Sequence, residues 1–287
     1  IPFYSDSSVG SMYTHDVSGT DNDAVGNTAY GFTALDAITT GDYNTTIGHN
    51  AGTSINSGNS NVLVGKNAGD ALTSGNNNIA IGYEALSSED THGLNVAIGH
   101  RALQDQNAGA DAYNVAVGYQ AGKEVTTGIG NVYTGFEAGH AATTGIFNAG
   151  FGNGALYDLT TGSSNVAVGA LTSGHLTTAT KTTSIGHSAA YTNTGGSDRT
   201  TGNNCVFVGA NTKGSANGTT NENVFGYGAE GAGSNTIRLG NTSVTKVTTS
   251  GDVETDTIGK GFILKSPDGT RYRITVANGG ALSATTA

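Results

Sequence analysis

Ring-bearing side chains recur at one fixed position of this chain, where they could form a surface for carbohydrate. The position directly follows a regularly spaced glycine, and its occupants are Phe32, His49, Lys66, Tyr83, His100, Tyr119, Phe136 and Asn153. Aromatic faces stack on other flat or apolar groups, including the C–H faces of sugars. Tyr83, His100, Tyr119 and Phe136 are therefore candidate glycan contacts if they face solvent. If they lie at a subunit interface, they are packing residues.

Carboxylates are scattered, and the sequence predicts no enzyme activity and no catalytic residue. The densest groups, Glu89-Asp90 and Asp105 with Asp111, lie in variable segments between repeats. Glycoside hydrolysis needs two carboxylates about 5–10 Å apart across one cleft. No Gly-x-Ser-x-Gly motif with triad partners is present either. A site shared between chains stays open.

Metal or cofactor binding has little support in the sequence. His49, His100 and His187 are separated by whole repeats, and Asp21-Asn22-Asp23 is too short for a calcium loop. Cys205 is the only cysteine, which excludes an internal disulfide and a cysteine-based zinc site. We expect no metal and no cofactor.

Charge and hydropathy argue against two classes of partner. The chain of 287 residues has 12 Lys and Arg against 22 Asp and Glu, a formal charge of −10, whereas nucleic-acid binding needs a basic footprint. No run approaches the ~18 apolar residues of a membrane span. The chain begins at Ile1 and its one methionine is Met12, which suggests a processed chain or a fragment.

An internal repeat sets the organisation of the chain. Nine of the twelve intervals between its marker glycines are 17 residues long; these glycines are 31, 48, 65, 82, 99, 118, 135, 152, 169, 186, 209, 226 and 240. The consensus is Thr-Thr-Gly-x-x-Asn-Val-x-Val-Gly-x-x-Ala-(Gly/Leu) and three variable residues. Such a period is typical of a repeat architecture. We call these positions the marker glycines.

Each repeat predicts one short strand. β-Branched residues stand three and one before the marker glycine, as Val115 and Val117 do, and this alternation indicates a strand whose buried face they form. Alanine commonly follows three residues after the glycine and implies a narrow interior. A 17-residue unit suits one coil of a parallel β-solenoid or β-roll, and thirteen coils at ~4.8 Å would make a rod of roughly 60 Å.

Two polar rows accompany the strands. Asparagines recur four residues before the marker glycines, at Asn44, Asn61, Asn78, Asn95, Asn114, Asn131, Asn148 and Asn165. We expect an amide ladder between coils, with a row of ligand contacts as the alternative. Threonine pairs at 126/127, 143/144, 160/161 and 177/178 predict turn chemistry, and a regular array matching ice is the alternative.

A single coil offers few large apolar side chains to bury. Three chains sharing one axis would bury a second face of every coil, so the sequence predicts a homotrimer. The expected fold class is all-β: a parallel solenoid of about thirteen 17-residue coils followed by a C-terminal β-meander.

Repeats of the form Asn-x-Val-Ala-Ile-Gly-x-x-Ala resemble the head repeats of trimeric autotransporter adhesins and related repeats in tailed-phage fibres and spikes. The resemblance covers residues 27–240 and implies a trimeric left-handed β-roll that binds extracellular surfaces. The 17-residue period is longer than is common in the adhesin heads, and no heptad pattern follows Gly240. Residues 234–241 and 261–276 are similar to C-terminal segments of phage tail proteins. These features favour a phage fibre.

The predicted organisation has four parts. Residues 1–26 form a cap or connector, 27–243 the solenoid, 244–258 a neck, and 259–287 a meander that caps the end or, alternatively, recognises a receptor. Exposed loops are expected around residues 104–111 and 191–199, where intervals of 19 and 23 residues occur.

The sequence thus predicts a structural and adhesive fibre or spike segment on the surface of a tailed-phage virion. Its partners would be its own copies, other virion or fibre proteins and a host-surface glycan, with no nucleic acid and no membrane insertion. The alternative is a bacterial surface adhesin or extracellular filament subunit. A polysaccharide depolymerase spike is the third possibility.

Overall fold

The computed structural model describes residues 4–6, 11–14, 23–248, 250, 262–276, 280 and 282–286. Regular structure in these residues is entirely β, which confirms the all-β prediction. The chain divides into two units, Ile1–Ser243 and Val244–Ala287. Across the described ranges, no helix has the length and apolar character needed to cross a membrane.

The first unit contains one sheet whose fifteen strands lie side by side in chain order. The strands are β1 (Tyr4–Asp6), β2 (Ser11–Tyr13), β3 (Thr28–Tyr30), β4 (Thr45–Ile47), β5 (Val62–Val64), β6 (Ile79–Ile81), β7 (Val96–Ile98), β8 (Val115–Val117), β9 (Val132–Thr134), β10 (Ala149–Phe151), β11 (Val166–Val168), β12 (Thr183–Ile185), β13 (Val206–Val208), β14 (Glu222–Phe225) and β15 (Thr236–Leu239).

Successive coils stack in exact repeat register. β1 is antiparallel to β2, and every later neighbour pairs in parallel, so that Val115 lies beside Val132 and Ala116 beside Tyr133. One three-residue strand per coil is followed by a bend at the marker glycine. The unit is therefore a parallel β-solenoid of about thirteen turns, as the repeat predicted.

The inward side of each strand differs from the prediction. In β8 the middle residue, Ala116, is fully buried, whereas Val115 and Val117 face outward and are partly exposed. Val166 and Val168 of β11 keep 38% and 40% of their surface exposed. A three-residue strand between two bends has only one inward position, because side chains alternate along it. The prediction that the β-branched pairs form the interior is therefore wrong.

The interior is filled by a single chain. Four columns of side chains, stacked from coil to coil, fill it. They are the middle residues of the strands, the alanines three residues after each marker glycine, the aliphatic side chains four or seven residues after it, and the asparagine row. The fully buried residues of the second and third columns include Ala34, Leu35, Ile38, Ala51, Ile55, Ala68, Leu72, Ala85, Leu86, Ala102, Leu103, Ala121, Val125, Ala138, Ala155, Leu156 and Leu159.

Two of these columns compensate each other in size. Leu86 stands opposite a small strand residue, Ala80, whereas Gly139 accompanies the large Tyr133. A Cβ at Gly139 would lie 2.4 Å from the Tyr133 ring, so no larger residue fits beside that ring. The backbone is left-handed at both positions, with φ of 53° at Leu86 and 61° at Gly139. The Gly/Leu alternation of the consensus therefore reflects core volume.

The marker glycines are required by the stacking itself. Gly82 has φ +142°, and a Cβ there would lie 2.2 Å from the carbonyl oxygen of Gly99 in the next coil. The other marker glycines from 31 to 209 make equivalent contacts with the next glycine. A side chain at this position would force neighbouring coils apart.

The asparagine row is an internal hydrogen-bonded ladder, as predicted. The Asn148 Oδ1 accepts the backbone N–H of Asn165 at 3.0 Å, and the Asn148 Nδ2 donates to the carbonyl of Gly162 at 2.9 Å. The asparagines are buried, and the same pair of bonds recurs from Asn44 and Asn131. Each amide thereby satisfies two backbone groups that face the interior of the next coil.

The second unit contains a three-stranded antiparallel sheet, as expected for the meander. Its strands are β16 (Phe262–Lys265), β17 (Arg271–Val276) and β18 (Leu282–Thr286), in that order. The first turn is closed by Ser266, whose N–H donates to the carbonyl of Thr270 at 2.9 Å. Most of the second predicted turn, at 278–280, and most of the predicted neck lie outside the described residues.

Exchanging the two compensating side chains tests the packing rule. Tyr133→Ala should cost about 3–5 kcal/mol because it empties a buried volume. Gly139→Leu should cost about 1–3 kcal/mol through overlap with the ring. The double variant recreates the Ala80/Leu86 pairing, and we expect it to be more stable than the sum of the single changes by over ~1 kcal/mol.

Urea unfolding of the three variants measures this coupling. Gly109→Leu is the control, since a Cβ at Gly109 meets no atom within 4 Å, and it should leave the free energy of unfolding nearly unchanged. Strictly additive losses at residues 133 and 139 would show that the two columns do not share one volume.

Candidate functional site

The four candidate glycan residues form one continuous stack on the surface of the solenoid. Ring centroids are 5.1 Å apart between Tyr83 and His100, 5.0 Å between His100 and Tyr119, and 5.2 Å between Tyr119 and Phe136. Interplanar angles fall from 20° to 14° to 8° along the stack. We call these four residues the ring ladder. The rings are spaced like the coils that carry them, so each ring plane lies roughly perpendicular to the long axis of the solenoid.

Stacking covers most of the ring faces. His100 is enclosed by two tyrosines and Tyr119 by two rings, while Lys66 Nζ lies 5.6 Å from the centre of the Tyr83 ring. Phe136 has a stacked ring on one face only among the described residues, and it keeps 47% of its surface exposed. The ladder therefore presents ring edges along its length, and its last ring, Phe136, is little more exposed than Tyr119, which keeps 43% of its surface exposed although it is stacked on both faces.

Charged groups gather at the opposite end of the ladder. The Arg101 guanidinium lies 5.7 Å from the Tyr83 ring centre, and its Nε donates to Glu84 Oε2 at 2.9 Å. The hydrogen bond from Tyr83, the neighbouring Arg101 and His100 lower the pKa of Glu84 despite partial burial. This end of the ladder is held by an ion pair that stays intact at neutral pH.

Further ring contacts were missed by the sequence analysis. His140 stacks on Tyr157 at 5.0 Å and 9°, and His175 meets Tyr191 at 4.2 Å in a tilted arrangement. His140, Tyr157 and Tyr191 all stand five residues after a marker glycine, which is a signal that the repeat contained. Earlier in the chain, Phe32 stacks on His49 at 5.7 Å.

The predicted threonine pairs serve the turns. Their first hydroxyls donate to carbonyls one coil ahead: Thr126 to Thr143 at 3.2 Å, Thr143 to Thr160 at 3.0 Å, and Thr160 to Thr177 at 3.1 Å. These hydroxyls are engaged within the chain. The bonds agree with the turn interpretation and leave no free row of first-threonine hydroxyls for an external lattice.

One cluster of potential metal ligands occurs among the described residues. Donor atoms of Glu89, Asp90 and His92 lie within 4.8 Å of one another. Glu89 is fully buried and its Oε1 accepts the backbone N–H of His92 at 3.2 Å, so it also closes this turn. Asp111 Oδ1 likewise accepts the N–H of Gly93 at 2.9 Å. The sequence-based expectation of no metal stays a prediction.

Glu89 occupies an aliphatic position of the core. Seven residues after the marker glycine, most coils carry a buried aliphatic residue such as Leu72 or Val125, but two adjacent coils carry Glu89 and Gln106. Burial raises the pKa of Glu89, and the N–H groups of His92 and Ala108 oppose that rise. In the middle of the solenoid, two polar side chains therefore interrupt the column of buried aliphatic residues.

A buried arginine near the end of the solenoid was not foreseen. Arg199, in the predicted loop, is fully buried with its guanidinium 4.6 Å from the centre of the Phe207 ring. Its Nη2 lies 3.4 Å from Thr219 Oγ1, and this hydroxyl donates to Glu222 Oε2 at 2.9 Å. In these coils Cys205 and Glu222 occupy the positions that asparagine holds in the asparagine row. Arg199 Nε and Nη1 are buried without a hydrogen-bond partner in the described part of the chain, and burial lowers the pKa of this guanidinium.

The pH dependence of the free energy of unfolding tests the effect of burying the Glu89 carboxyl. A carboxyl whose pKa rises on folding contributes stability below its ordinary value of 4.5, and this stability is lost as pH rises through the folded value. Glu89→Gln should therefore raise the free energy of unfolding at pH 7 by about 1–3 kcal/mol and change it little at pH 4.

The matched control is Glu84→Gln, at a partly exposed, ion-paired glutamate five residues earlier in the same coil, which should lose up to ~1 kcal/mol at pH 7. Chemical denaturation at several pH values measures both variants. A Glu89→Gln variant less stable than the parent at pH 7 would mean that the ionised carboxylate is well solvated or paired.

Comparison with known proteins yields no match, whether with family models, curated proteins or solved structures.

Proposed function

We propose that this chain is a structural and adhesive segment of a tailed-phage fibre or spike, acting outside the cell as a homotrimer. The observation that carries the proposal is the uncovered strand face. From β4 to β13, the two outward residues of every strand are apolar or threonine, and none is charged. Such a face on a solenoid whose core one chain already completes favours contact with further copies.

The dimensions of this face suit self-association. Ten strands at ~4.8 Å extend for about 50 Å, and two side-chain columns span roughly 10 Å. The resulting area of about 500 Å² lies at the upper end of apolar patches on monomers. It approaches the ~800 Å² per partner that stable interfaces bury.

Phage attachment is supported by the rod and its repeated surface. Coils joined by in-register strands and internal amides make a stiff spacer, and identical positions on three chains multiply weak contacts. The ring ladder offers such a contact for host-surface glycans. The sequence resemblance to fibre repeats and tail segments favours a virion over a bacterial surface adhesin.

Native mass tests the association. Light scattering should give about 86 kDa, three times the 28.7 kDa chain. Val117→Lys should shift the mass toward one chain with unchanged circular dichroism, because the new charge points outward in a single solenoid. Ser197→Lys, which adds the same charge to an exposed turn, should remain at the parent mass.

A parent mass near 28.7 kDa would contradict the trimer. Antibodies against the purified chain should label virions, and the labelled chain should adsorb to host cells. Adsorption without incorporation into virions would instead support the surface adhesin. Release of reducing sugar from host capsule would support the depolymerase.

A further inference from the structure

One turn of the solenoid departs from the repeat at two positions at once. In the two preceding coils, a buried aliphatic residue is followed three residues later by a glycine, as Leu72 is by Gly75. Between β6 and β7 these two positions are occupied by Glu89 and His92, and Asp90 lies between them. One donor atom from each of these three side chains lies within 4.8 Å of the other two. Carboxylate and imidazole groups this close together are a potential ligand set for a metal ion.

The Glu89 carboxyl lies in the interior with one oxygen unpaired. Its side chain has no exposed surface, and Oε1 accepts the backbone N–H of His92 at 3.2 Å. Oε2 is buried and accepts no hydrogen bond from any described residue; the N–H of Ala108 is near the carboxyl but does not complete one to Oε2. No Lys or Arg within the described ranges forms an ion pair with this carboxyl. Because a buried carboxylate without a cation is costly, a positive ion bound there would stabilise it.

The distances suit a small divalent ion. Zinc binds carboxylate oxygen and imidazole nitrogen at about 2.0–2.2 Å, so two ligand atoms of a tetrahedral site lie about 3.3–3.6 Å apart. Glu89 Oε1 already lies 3.6 Å from His92 Nδ1. The partly buried Asp90 accepts the Thr91 hydroxyl at 3.1 Å, and exchanging this bond for the ion needs rotation of one side chain. The His92 side chain is 29% exposed, which leaves a path from solvent to the buried carboxyl.

The types of donor atom indicate which ion fits. One of the three donors is an imidazole nitrogen, whereas Ca²⁺ and Mg²⁺ prefer ligand sets made of oxygen alone. Zn²⁺ takes imidazole and carboxylate together, commonly with three protein ligands and one water. The ligand set therefore favours zinc over the alkaline-earth ions.

We propose that Glu89, Asp90 and His92 bind one Zn²⁺ ion per chain, with water at the remaining coordination position. The ion neutralises the Glu89 carboxylate and fixes this turn to the core. This site is independent of the proposed function, since all three ligands belong to one chain. It departs from the sequence-based expectation of no metal, which considered histidines separated by whole coils and the Asp21-Asn22-Asp23 segment.

Isothermal titration calorimetry on the full chain, first treated with EDTA, tests the site. Zn²⁺ should bind with one ion per chain, and Ca²⁺ and Mg²⁺ should show no binding at the same concentrations. At 100 times its dissociation constant, zinc should raise the midpoint of thermal unfolding by roughly 4 °C, because it binds only the folded chain.

Two substitutions remove one ligand each. Glu89→Gln keeps the size of the side chain, and the next coil already buries a glutamine, Gln106, at the same position. His92→Ala removes the imidazole. Each should weaken zinc binding at least tenfold, since even an outer-shell partner of a metal site contributes about 10–100-fold. With EDTA present, Glu89→Gln should be more stable than the parent at pH 7, and added zinc should stabilise the parent but not this variant.

His175→Ala is the matched control. The His175 ring also lies beside two carboxylates, with Nδ1 2.8 Å from Asp158 and Nε2 3.4 Å from Asp198. Different ring nitrogens make these two contacts, so the two carboxylates cannot share one ion with this histidine. The variant should bind zinc as the parent does. In ¹⁵N NMR spectra of the parent, zinc should shift the Nδ1 resonance of His92 and leave the His175 resonances unchanged.

Four results would overturn the site. They are no zinc binding by the parent, equal zinc affinity of the parent and Glu89→Gln, loss of zinc binding in His175→Ala, and binding of Ca²⁺ as tightly as zinc. The last result would mean that the imidazole is not a ligand.

Discussion

The pair of hydrogen bonds made by most of the buried asparagines is the interaction on which this architecture depends. A 17-residue coil contains only three residues of strand; outside it, many backbone groups bond directly to the neighbouring coil, as the N–H of Asn50 does to the carbonyl of Phe32 at 3.0 Å, and the asparagine amides bind backbone groups that these bonds leave over. Asn148 shows how this is resolved, since its amide binds an N–H and a carbonyl of the next coil. Buried backbone groups without such partners would each cost about 1–3 kcal/mol.

This constraint determines what the surface can carry. The amides reach the next coil only when coils stack at strand spacing, and that spacing excludes a side chain at the marker glycines. The residue after each glycine is consequently repeated at the same interval, which suits stacked rings. The ring ladder is thus produced by the coil geometry, and its end at Phe136 follows from one change of residue type, to Asn153.

Periodic features of the fold could be predicted from the sequence. The glycine interval predicted the coils, and the asparagine row predicted the amide ladder. The direction of the strand side chains could not be predicted, because Val-Ala-Val suggests buried valines until the interior is known to admit only the middle residue. Val115 and Val117 are outward for this reason. The alternating valines therefore mark an uncovered outward face of the sheet and not the core.

Features that break the repeat escaped prediction. Arg199 belongs to an interval of 23 residues that reads as an exposed loop, yet its guanidinium enters the core beside Phe207. The aliphatic character of the position that Glu89 occupies becomes apparent only when the coils are aligned by their interior contacts. The ring ladder was recognisable as a row, but which ring faces are covered depends on distances that a sequence does not contain.

Hydrogen exchange of the full chain measured by NMR tests the central claim, that the asparagine amides close the coils from within. We expect slow exchange of the backbone N–H of Asn61, Asn131 and Asn148, repeating with the 17-residue period, together with slow exchange of their side-chain amides. Exchange of these groups as fast as that of the exposed turn at Gly109 would contradict it.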